Sequence, residues 1–270
     1  MGLLLRDMHP KKQYGQHFLK EPHVAVRIAG SLRQVGNMAA VLEIGAGRGA
    51  LTRPLLERYG PKIHVLELDA DMFPLLRGLS GLASENIHTG DALKCNWNQL
   101  LPAPYVVVGN FPYNISTQLM WKMIEHRSQA MQMCGIFQRE VAQRIVAPPG
   151  SKVYGLISVV VQAFYRTEYL FALSPGHFNP PPTVHSAVIR LERRTPRTLP
   201  CDERVFFALV KAAFGQRRKI LRNSLQAFVQ QASDELPQEV WALLAQRPEQ
   251  MAVADFILLS QRLRPHSDRQ

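Results

Sequence analysis

The stretch AAVLEIGAGRG, residues 39–49, decides the fold of the first part of the chain. Residues 39–44 have the length and the branched apolar side chains of a buried β-strand. Three glycines follow within five residues, and residues 50–59 then show the apolar spacing that is typical of a helix. This order of strand, glycine turn and helix predicts the start of a parallel sheet whose first turn a ligand can approach closely.

The alternation of strands and helices continues over roughly the first 195 residues. We predict further strands at 62–68, near Ile87, and at 104–109, 133–138, 167–172 and 186–192. The helices between them are predicted at 71–79, 116–126, 140–146 and 154–165. Strands that alternate with helices form mostly parallel sheets covered on both faces. The predicted fold class is therefore α/β, with a seven-stranded, Rossmann-like sheet.

A change of pattern follows residues 195–200, which have the composition of a linker. Beyond them we find no strand pattern, and residues 202–214, 218–231, 237–246 and 253–263 have helical spacing. Asp202 stands where it can cap the first of these helices. The sequence thus predicts an α/β domain over residues 1–195 and a small all-helical domain over residues 196–270.

The composition excludes several classes of protein. The chain has 270 residues, 46% of them hydrophobic, which is typical of a globular protein with a core of its own. It has no run of about 18 apolar residues, so we expect no membrane-spanning helix and no membrane partner. Cys95, Cys134 and Cys201 lie far apart and match no zinc pattern. We therefore expect no metal, and a reducing compartment, the cytoplasm.

The net charge of +11 is concentrated in two segments. Residues 1–33 carry +4, and residues 190–222 carry ten basic and three acidic side chains, or +7. The densest cluster consists of Lys211, Arg217, Arg218, Lys219 and Arg222. On a helix over 218–231, Arg218 and Arg222 would share a face. Such a cluster is either an ordinary solvated surface or a binding site for phosphates, and the absence of acids between Lys211 and Arg222 favours phosphates.

The glycine turn indicates a nucleotide-like cofactor without specifying which one. Gly45, Gly47 and Ala50 match the dinucleotide pattern G-x-G-x-x-A, and Glu67 lies 20 residues after Gly47, at the end of the second strand. A carboxylate at this point can accept hydrogen bonds from both ribose hydroxyls, in a dehydrogenase and in a methyltransferase alike.

Two further carboxylates favour S-adenosyl-L-methionine over a dinucleotide. Glu43 precedes the glycines, where it can help to hold a cationic amino-acid group, and Asp91 follows the third strand, where it can accept from an adenine amine. Both have plain alternatives, a strand-end acid for Glu43 and a helix cap for Asp91. Seven strands with a closing pair also fit the sheet of a class I methyltransferase.

The fourth strand ends in Gly109-Asn110-Phe111-Pro112-Tyr113-Asn114, where α/β sheets bind ligands. An adenine amine is a poor nucleophile because its lone pair is delocalised into the ring. The Asn110 oxygen and the backbone carbonyl of Phe111 or Pro112 can accept its two hydrogens and draw the lone pair out of conjugation. Tyr113 can stack on the base. We predict that this motif, with Pro112 as its rigid residue, carries the chemistry; an ordinary Asn-Pro turn is the alternative.

Taken together, these motifs resemble the ribosomal RNA adenine dimethyltransferase family of the KsgA type. The resemblance covers residues 11 to 263, and its motifs occur in the family's order and spacing. They are Gln16-His17-Phe18-Leu19, residues 43–49, Glu67-Leu68-Asp69, Gly90-Asp91-Ala92, residues 110–113, residues 138–142, Tyr154-Gly155, residues 178–182, Ser186-Ala187-Val188 and residues 214–225. Three positions depart from the pattern, since His17 stands where Asn is more frequent, Phe111 where Leu is common and Thr183 where Lys is frequent.

The resemblance implies an enzyme that adds two methyl groups to the N6 amine of each of two adjacent adenosines. These lie in a hairpin loop near the 3′ end of small-subunit ribosomal RNA, and the family acts late, within the assembling small subunit. The methyl donor is S-adenosyl-L-methionine and the product is S-adenosyl-L-homocysteine. We expect no metal and a monomer.

The resemblance also assigns roles to particular residues. His17 and Leu19 are expected to contact the cofactor, and Phe178 to close the other face of the target adenine. The remaining cofactor-binding residues are Glu43, Gly45, Gly47, Glu67, Asp91 and Asn110. Lys11 and Lys12 are expected to join the C-terminal basic cluster in contacting phosphates of the RNA.

Three other interpretations of the sequence stay open at this point. The chain resembles the large-subunit adenine methyltransferases of the antibiotic-resistance type, although its C-terminal pattern fits the assembly type better. A non-catalytic factor of ribosome assembly or RNA binding would also use the basic cluster. A nicotinamide dehydrogenase would account for the glycine turn, but not for residues 110–113.

Overall fold

A computed structural model gives the conformation of Lys11 and of residues 15–232 and 236–263. These residues form two compact units. The first unit takes in the residues up to Ala142 and Thr167–Arg193, and the second takes in Gln143–Arg166 and the residues from Arg194 onward. Across the described part of the chain, no helix is long and apolar enough to cross a membrane.

The strands lie close to where the sequence predicts them. They are β1 (Phe18–Leu19), β2 (Ala40–Ile44), β3 (Ile63–Glu67), β4 (Ile87–Thr89), β5 (Tyr105–Asn110), β6 (Ala130–Gln138), β7 (Tyr165–Leu173), β8 (Phe178–Asn179) and β9 (Ser186–Arg193). Within the described residues, seven of them form the main sheet in the order β4-β3-β2-β5-β6-β9-β7. The predicted seven-stranded α/β sheet is confirmed.

The helices also follow the predicted alternation. They are α1 (Pro22–Gly30), α2 (Thr52–Tyr59), α3 (Phe73–Arg77), α4 (Trp97–Leu100), α5 (Ser116–Glu125), α6 (Arg139–Val146), α7 (Leu156–Phe164), α8 (Glu203–Gly215), α9 (Leu221–Ser224), α10 (Gln226–Gln231), α11 (Gln238–Leu244) and α12 (Val253–Arg262). Asp202 caps α8 as predicted, since its side chain accepts from the Arg204 N–H at 2.8 Å.

The register of the sheet brings the important strand ends together. Strands β4, β3, β2, β5 and β6 run parallel, and β9 runs antiparallel to β6. Glu43 of β2 lies beside Val65 of β3 and Val108 of β5. The carboxyl ends of these strands therefore meet at one edge of the sheet, which is where α/β proteins bind their ligands.

An apolar core packs against the strands that end at this edge of the sheet. Val41, Val65 and Val106, from the neighbouring strands β2, β3 and β5, are fully buried and pack with Ile28 of α1 and Leu55 of α2. Branched side chains that are buried on a parallel sheet are the expected filling of such a layer. The turns that follow the strands are thus held by a rigid support.

Four elements of the first unit were not predicted, namely strands β1 and β8 and helices α1 and α4. Strands β1 and β8 form a separate two-stranded antiparallel sheet, in which Leu19 pairs with Phe178. Helix α1 begins at Pro22, a position that proline favours, and buries Val24, Ala25, Ile28 and Ala29. The small sheet joins residues about 160 apart in sequence, which no local pattern can reveal.

The second unit differs from the prediction in two respects. It includes residues 143–166, with α7, which lie inside the predicted α/β domain, and its second stretch begins at Arg194. The predicted single helix over 218–231 is wrong. Residues 216–220 form a turn, and two short helices, α9 and α10, follow it. Arg218 and Arg222 therefore do not lie on one helix.

Candidate active site

A cavity of about 340 Å³ lies at the carboxyl ends of the parallel strands, within the first unit. Its volume falls within the range of small-molecule sites, which is about 300–1,000 Å³. Five short segments line it, namely residues 15–18, the turn from Ile44 to Gly47, and residues 66–68, 90–93 and 110–115. The cavity thus collects the glycine turn, two of the predicted carboxylates and the Asn-Phe-Pro-Tyr motif.

The glycine turn is bonded to the carboxylate of Glu67. Gly45 and Gly47 have φ of +72° and +51°, which side-chain-bearing residues rarely adopt. Glu67 Oε2 accepts from the Gly47 N–H at 2.9 Å, while Oε1 accepts from the N–H groups of Leu68 and Asp69, both at 2.8 Å. Burial raises the pKa of Glu67, and these backbone bonds oppose the shift.

The residues present fit the predicted cofactor. A Cβ on Gly45 would meet nothing within 4 Å, so the space that a side chain would fill beside the turn is open to a ligand. Each carboxylate oxygen can accept more than one hydrogen bond, so Glu67 can also accept from ribose hydroxyls. Gly45, Gly47 and Glu67 all lie on the cavity wall, as predicted.

The two carboxylate oxygens of Asp91 have different surroundings. It lies on the cavity wall, and its Oδ1 accepts from the Leu93 N–H at 2.9 Å, as in a cap. Its Oδ2 is 4.0 Å from Lys94 Nζ, which is at the outer limit of an ion pair. This second oxygen can therefore accept from an adenine amine.

Glu43 lies beneath the turn and not on the cavity wall. Its side chain is 1% exposed, and Oε2 makes no hydrogen bond to any residue that the structure describes. Burial raises the pKa of Glu43 to about 8, helped by the charge of Glu67 and opposed by the Thr52 hydroxyl. This direction favours the neutral carboxyl, whereas the role that the sequence suggested for Glu43, holding a cationic group, needs the anion.

The two ends of the Asn110 amide face different groups. Its Nδ2 donates to the His17 carbonyl at 2.7 Å, and no described residue bonds Oδ1. Asn110, Pro112 and Tyr113 all lie on the cavity wall. The Pro112 carbonyl already accepts from the Ile115 N–H and from Ser116 Oγ, both at 3.2 Å. This arrangement leaves Asn110 Oδ1 and the Phe111 carbonyl as acceptors for a substrate amine.

Tyr113 is fixed from two sides. Its hydroxyl bonds Ser186 Oγ at 2.5 Å, and its ring stacks on the His17 imidazole with centroids 5.6 Å apart. His17 Nδ1 donates to the Pro180 carbonyl at 2.9 Å, because a carbonyl can only accept. Burial raises the pKa of the Tyr113 phenol, opposed by the bond to Ser186, so the ring stays neutral.

Leu19 and Phe178 pack behind the cavity. They are paired in the small sheet, 6% and 1% exposed, and neither lies on the cavity wall. His17 and Phe18, in contrast, do line the cavity. Of the residues predicted for the two ligand contacts, His17 thus lies on the cavity wall, whereas Leu19 and Phe178 belong to the apolar core.

The predicted RNA-binding residues fall into two groups. Lys11 Nζ lies 2.6 Å from both Asp69 Oδ1 and Asp71 Oδ2, so its charge is used within the chain, and Lys12 lies outside the described residues. In the second unit, the side chains of the other predicted residues are all exposed. These are Lys211, Arg217, Arg218, Lys219 and Arg222.

Sequence reasoning missed three residues that shape the site. Gln16 and Asp69 stand inside quoted motifs, but only the fold shows that Gln16 Nε2 donates to Asp69 Oδ2 at 2.8 Å. Ser186, which begins β9, holds the Tyr113 hydroxyl. Their place in the quoted motifs was the available indication of a role. A motif does not show which side chains contact each other, so the bonds could not be predicted.

The parallel sheet, the glycine turn and the cavity at the strand ends define a class I methyltransferase. The model of one family matches this chain over residues 8–263, and its description is ribosomal RNA adenine dimethylase. The chain belongs to this family. The predicted resemblance is confirmed, and the dehydrogenase interpretation is not supported.

Curated relatives cover the chain almost completely. Ribosomal RNA small subunit methyltransferase A of Flavobacterium johnsoniae is 44% identical over 260 residues, which span 96% of this chain and 97% of that protein. The protein of the same name from Cytophaga hutchinsonii is 41% identical and spans 96% and 99%. The similarity therefore includes both units of the chain.

Solved structures are similar in fold. A dimethyladenosine transferase from Plasmodium falciparum has a TM-score of 0.74 at 25% identity, over 90% of this chain and 96% of that one. The 23S rRNA methyltransferase ErmE has a TM-score of 0.65 at 25% identity, over 90% and 99%. The more similar of the two is thus named for dimethyladenosine formation.

Proposed function

We propose that this chain transfers methyl groups from S-adenosyl-L-methionine to the N6 amines of two adjacent adenosines near the 3′ end of small-subunit ribosomal RNA. One observation carries the proposal. Asn110 stands at the end of β5 with Nδ2 bonded and Oδ1 left beside the cavity, in a chain of the adenine dimethylase family. The names of the curated relatives support the small subunit as the source of the RNA.

The methyl transfer depends on hydrogen-bond acceptors for the adenine amine more than on a strong general base. Asn110 Oδ1 and the Phe111 carbonyl each accept one hydrogen of the adenine amine, so its lone pair turns out of the ring plane. The methylated amine is acidic and loses its proton readily, so neither acceptor has to be strongly basic. Most of the acceleration then comes from holding the amine in line with the transferred methyl group.

The base is held by stacking and by packing. Tyr113 presents its ring beside Asn110, and stacking of a base on an aromatic ring contributes about 1–3 kcal/mol. Phe111 is 1% exposed and packs against Phe137 with centroids 5.0 Å apart, which anchors the motif in the sheet. The backbone carbonyls of the motif are therefore held rigidly.

The cofactor site supplies the methyl donor. S-adenosyl-L-methionine carries its methyl group on a cationic sulfur, which makes the group transferable without a metal. Glu67 would accept from the ribose hydroxyls and Asp91 from the adenine amine of the cofactor, while the open space beside Gly45 admits its amino-acid part. Glu43 supports the turn from below.

The exposed basic residues of the second unit would contact RNA phosphates. Arg217 also donates to the Lys152 carbonyl at 2.7 Å, whereas Arg218 and Lys219 make no such bond among the described residues. Phosphate contacts position a protein on RNA without reading its sequence.

We propose that the substrate is the assembling small subunit, that the enzyme acts as a monomer, and that it does so in the cytoplasm.

The test is nucleoside mass spectrometry after incubation with S-adenosyl-L-methionine. The substrates are small subunits that lack the modification, with protein-free small-subunit and large-subunit RNA alongside. We expect N6,N6-dimethyladenosine in the small subunits, and none with Asn110→Ala, whose binding of S-adenosyl-L-homocysteine is measured in parallel. Methylation of large-subunit RNA alone would overturn the proposal in favour of the antibiotic-resistance type. Subunit binding without methylation would indicate an assembly factor.

A further inference from the structure

The segment Gly15–Leu19 reaches the cavity from outside the main sheet. Gly15, Gln16, His17 and Phe18 all line the cavity, yet only β1, at its end, belongs to a sheet. A cavity wall that consists of a short segment needs contacts that hold it in place. The structure shows these contacts at Asp69 and at Asn110.

Asp69 holds the start of the segment. Its carboxylate is buried, accepting from Gln16 Nε2 at 2.8 Å through Oδ2 and from Lys11 Nζ at 2.6 Å through Oδ1. Burial alone would raise the pKa of Asp69, but the bonds from Lys11 and Gln16 outweigh it and lower the pKa. The carboxylate is therefore ionised, and hydrogen bonds to an ionised acceptor are the stronger kind.

The backbone of Asp69 is bonded to the carboxylate that also holds the glycine turn. The Asp69 N–H donates to Glu67 Oε1 at 2.8 Å, and Glu67 Oε2 accepts from the Gly47 N–H. Gln16 is oriented as well, because its Oε1 accepts from the Lys11 N–H at 2.9 Å and so leaves Nε2 for Asp69. Asp69 thus connects the segment with the turn that holds the ribose.

The far side of the segment orients Asn110. A carbonyl can only accept, so the His17 oxygen selects the Nδ2 end of the Asn110 amide and leaves Oδ1 beside the cavity. Among the described residues, no other bond distinguishes the two ends of this amide. With the His17 carbonyl displaced, the amide could present a donor to the target amine, which is the wrong group.

We propose that Asp69 and Gln16 are positioning residues, which hold the segment Gly15–Leu19 so that the His17 carbonyl keeps the Asn110 oxygen directed at the target amine. The proposal rests on the function proposed above for Asn110. It assigns Lys11 to this anchor, through its ion pair with Asp69, and not to the RNA. The anchor would act on the rate of transfer and not only on the affinity for the cofactor.

The test compares two anchor variants with a matched control. Gln16→Met keeps the length of the side chain and removes its bonds to Asp69 and to the Lys11 N–H. Asp69→Asn replaces one carboxylate oxygen by an amide NH₂ group, which cannot accept a hydrogen bond, so the bond to Gln16 or the bond to Lys11 is lost. Asp71→Asn removes the same charge two residues away, from a carboxylate that is 59% exposed and bonds Lys11 but not Gln16. The measurements are the single-turnover rate at saturating cofactor and small subunits, and the affinity for S-adenosyl-L-homocysteine without RNA.

We expect the saturated rate to fall by roughly tenfold in both anchor variants, which corresponds to about 1.4 kcal/mol of lost transition-state stabilisation. Asp71→Asn is expected to stay within about twofold of the unmodified protein, since the bond between Gln16 and Asp69 is intact. Weaker binding of S-adenosyl-L-homocysteine with a full rate at saturation would overturn the proposal, because the segment would then act on affinity alone. If Asp69→Asn fails to fold, the saturated rate of Gln16→Met tests the proposal, because Gln16 is only half-buried and its replacement disturbs the core less.

A separate measurement covers the case in which the protein methylates no RNA, so that the proposed function itself fails. Amide hydrogen exchange over residues 15–20 is then followed with S-adenosyl-L-homocysteine bound. Faster exchange in Gln16→Met and Asp69→Asn than in Asp71→Asn would support the anchor. Equal exchange in all four proteins would overturn it.

Discussion

At the scale of single residues, the site depends on groups that are oriented by partners with only one hydrogen-bonding role. The His17 carbonyl orients Asn110, and the Pro180 carbonyl orients the His17 ring. Because carbonyl oxygens cannot donate, they determine which end of a side chain is left for the substrate.

The Tyr113 ring is expected to matter more than its hydroxyl. Tyr113→Ala removes the stacking surface, so we expect kcat/KM for small subunits to fall about 5- to 150-fold, which corresponds to about 1–3 kcal/mol. Tyr113→Phe keeps the ring and loses only the bond to Ser186, so we expect a decrease of a few-fold. Steady-state methylation kinetics measure both. An equal loss in the two variants would show that the hydroxyl, and not stacking, is what the reaction requires.

Gly135 is expected to tolerate no side chain, because the motif packs directly on it. A Cβ there would lie 2.3 Å from Phe111 Cε2 and 2.4 Å from the Gly109 carbonyl, and the carbonyl cannot move away. We expect Gly135→Ala to destabilise the protein by about 1–3 kcal/mol, as overpacking does, and to lower methylation. Thermal unfolding measures the first effect. Gly36→Ala, where nothing lies within 4 Å, should leave the unfolding temperature unchanged.

At the scale of elements, the turn between α8 and α9 concentrates the positive charge of the second unit. Arg217, Arg218 and Lys219 lie in this turn, and Arg222 lies in α9 with its guanidinium 5.4 Å from the ring centre of Trp241. A turn presents consecutive side chains to solvent, whereas a helix would distribute them around its axis. The turn is thus suited to a stretch of phosphates.

Reversal of charge in this turn is expected to weaken binding to small subunits without affecting the cofactor. We expect Arg218→Glu to reduce affinity, and to lower the magnitude of the slope of log affinity against log salt by about 0.7–0.9, the range for one phosphate contact on single- or double-stranded nucleic acid. A salt titration of subunit binding measures the slope. Arg204→Glu, which changes an exposed arginine at the opposite end of α8, is the matched control. An identical effect of both variants would mean that net charge matters and the turn does not.

At the scale of the whole molecule, the stability of the protein should depend on a proton that Glu43 holds. Its pKa of about 8 in the folded protein lies above the ordinary value of 4.5. The folded state therefore binds more protons than the unfolded state between these values. The stabilisation is complete below pH 4.5 and is lost as the pH rises through about 8.

Glu43→Gln is expected to remove this pH dependence, because glutamine imitates the protonated carboxyl and cannot titrate. Without cofactor, the unfolding temperature of the variant should rise relative to the unmodified protein as the pH increases from 5 to 8.5. Glu57→Gln, on the exposed face of α2, should show a constant difference over the same range. A Glu43→Gln difference that does not change with pH would show that Glu43 is ionised in the folded protein.

The sequence by itself determined the class of fold and most of the residues that surround the cavity. Buried strands such as 39–44 are recognised by their mostly apolar, branched side chains, and glycines mark the turn that a ligand approaches. Since parallel strands end at one edge, Gly45, Glu67, Asp91 and Asn110 could be placed together before any coordinate was known. Helix α1 also carried local indications, a proline at its start and apolar residues on one face, which the sequence analysis left unused.

Only the tertiary structure decided how the site is held together. The pairing of Leu19 with Phe178, the bond from Gln16 to Asp69 and the bond from Asn110 to the His17 carbonyl each join residues between 53 and 159 positions apart. Burial of Glu43 beneath the turn and of Phe178 behind the cavity likewise depends on what packs around them. Local propensity and spacing contain no information on such contacts, because side-chain distances and desolvation are set by the packing of elements that are remote in sequence.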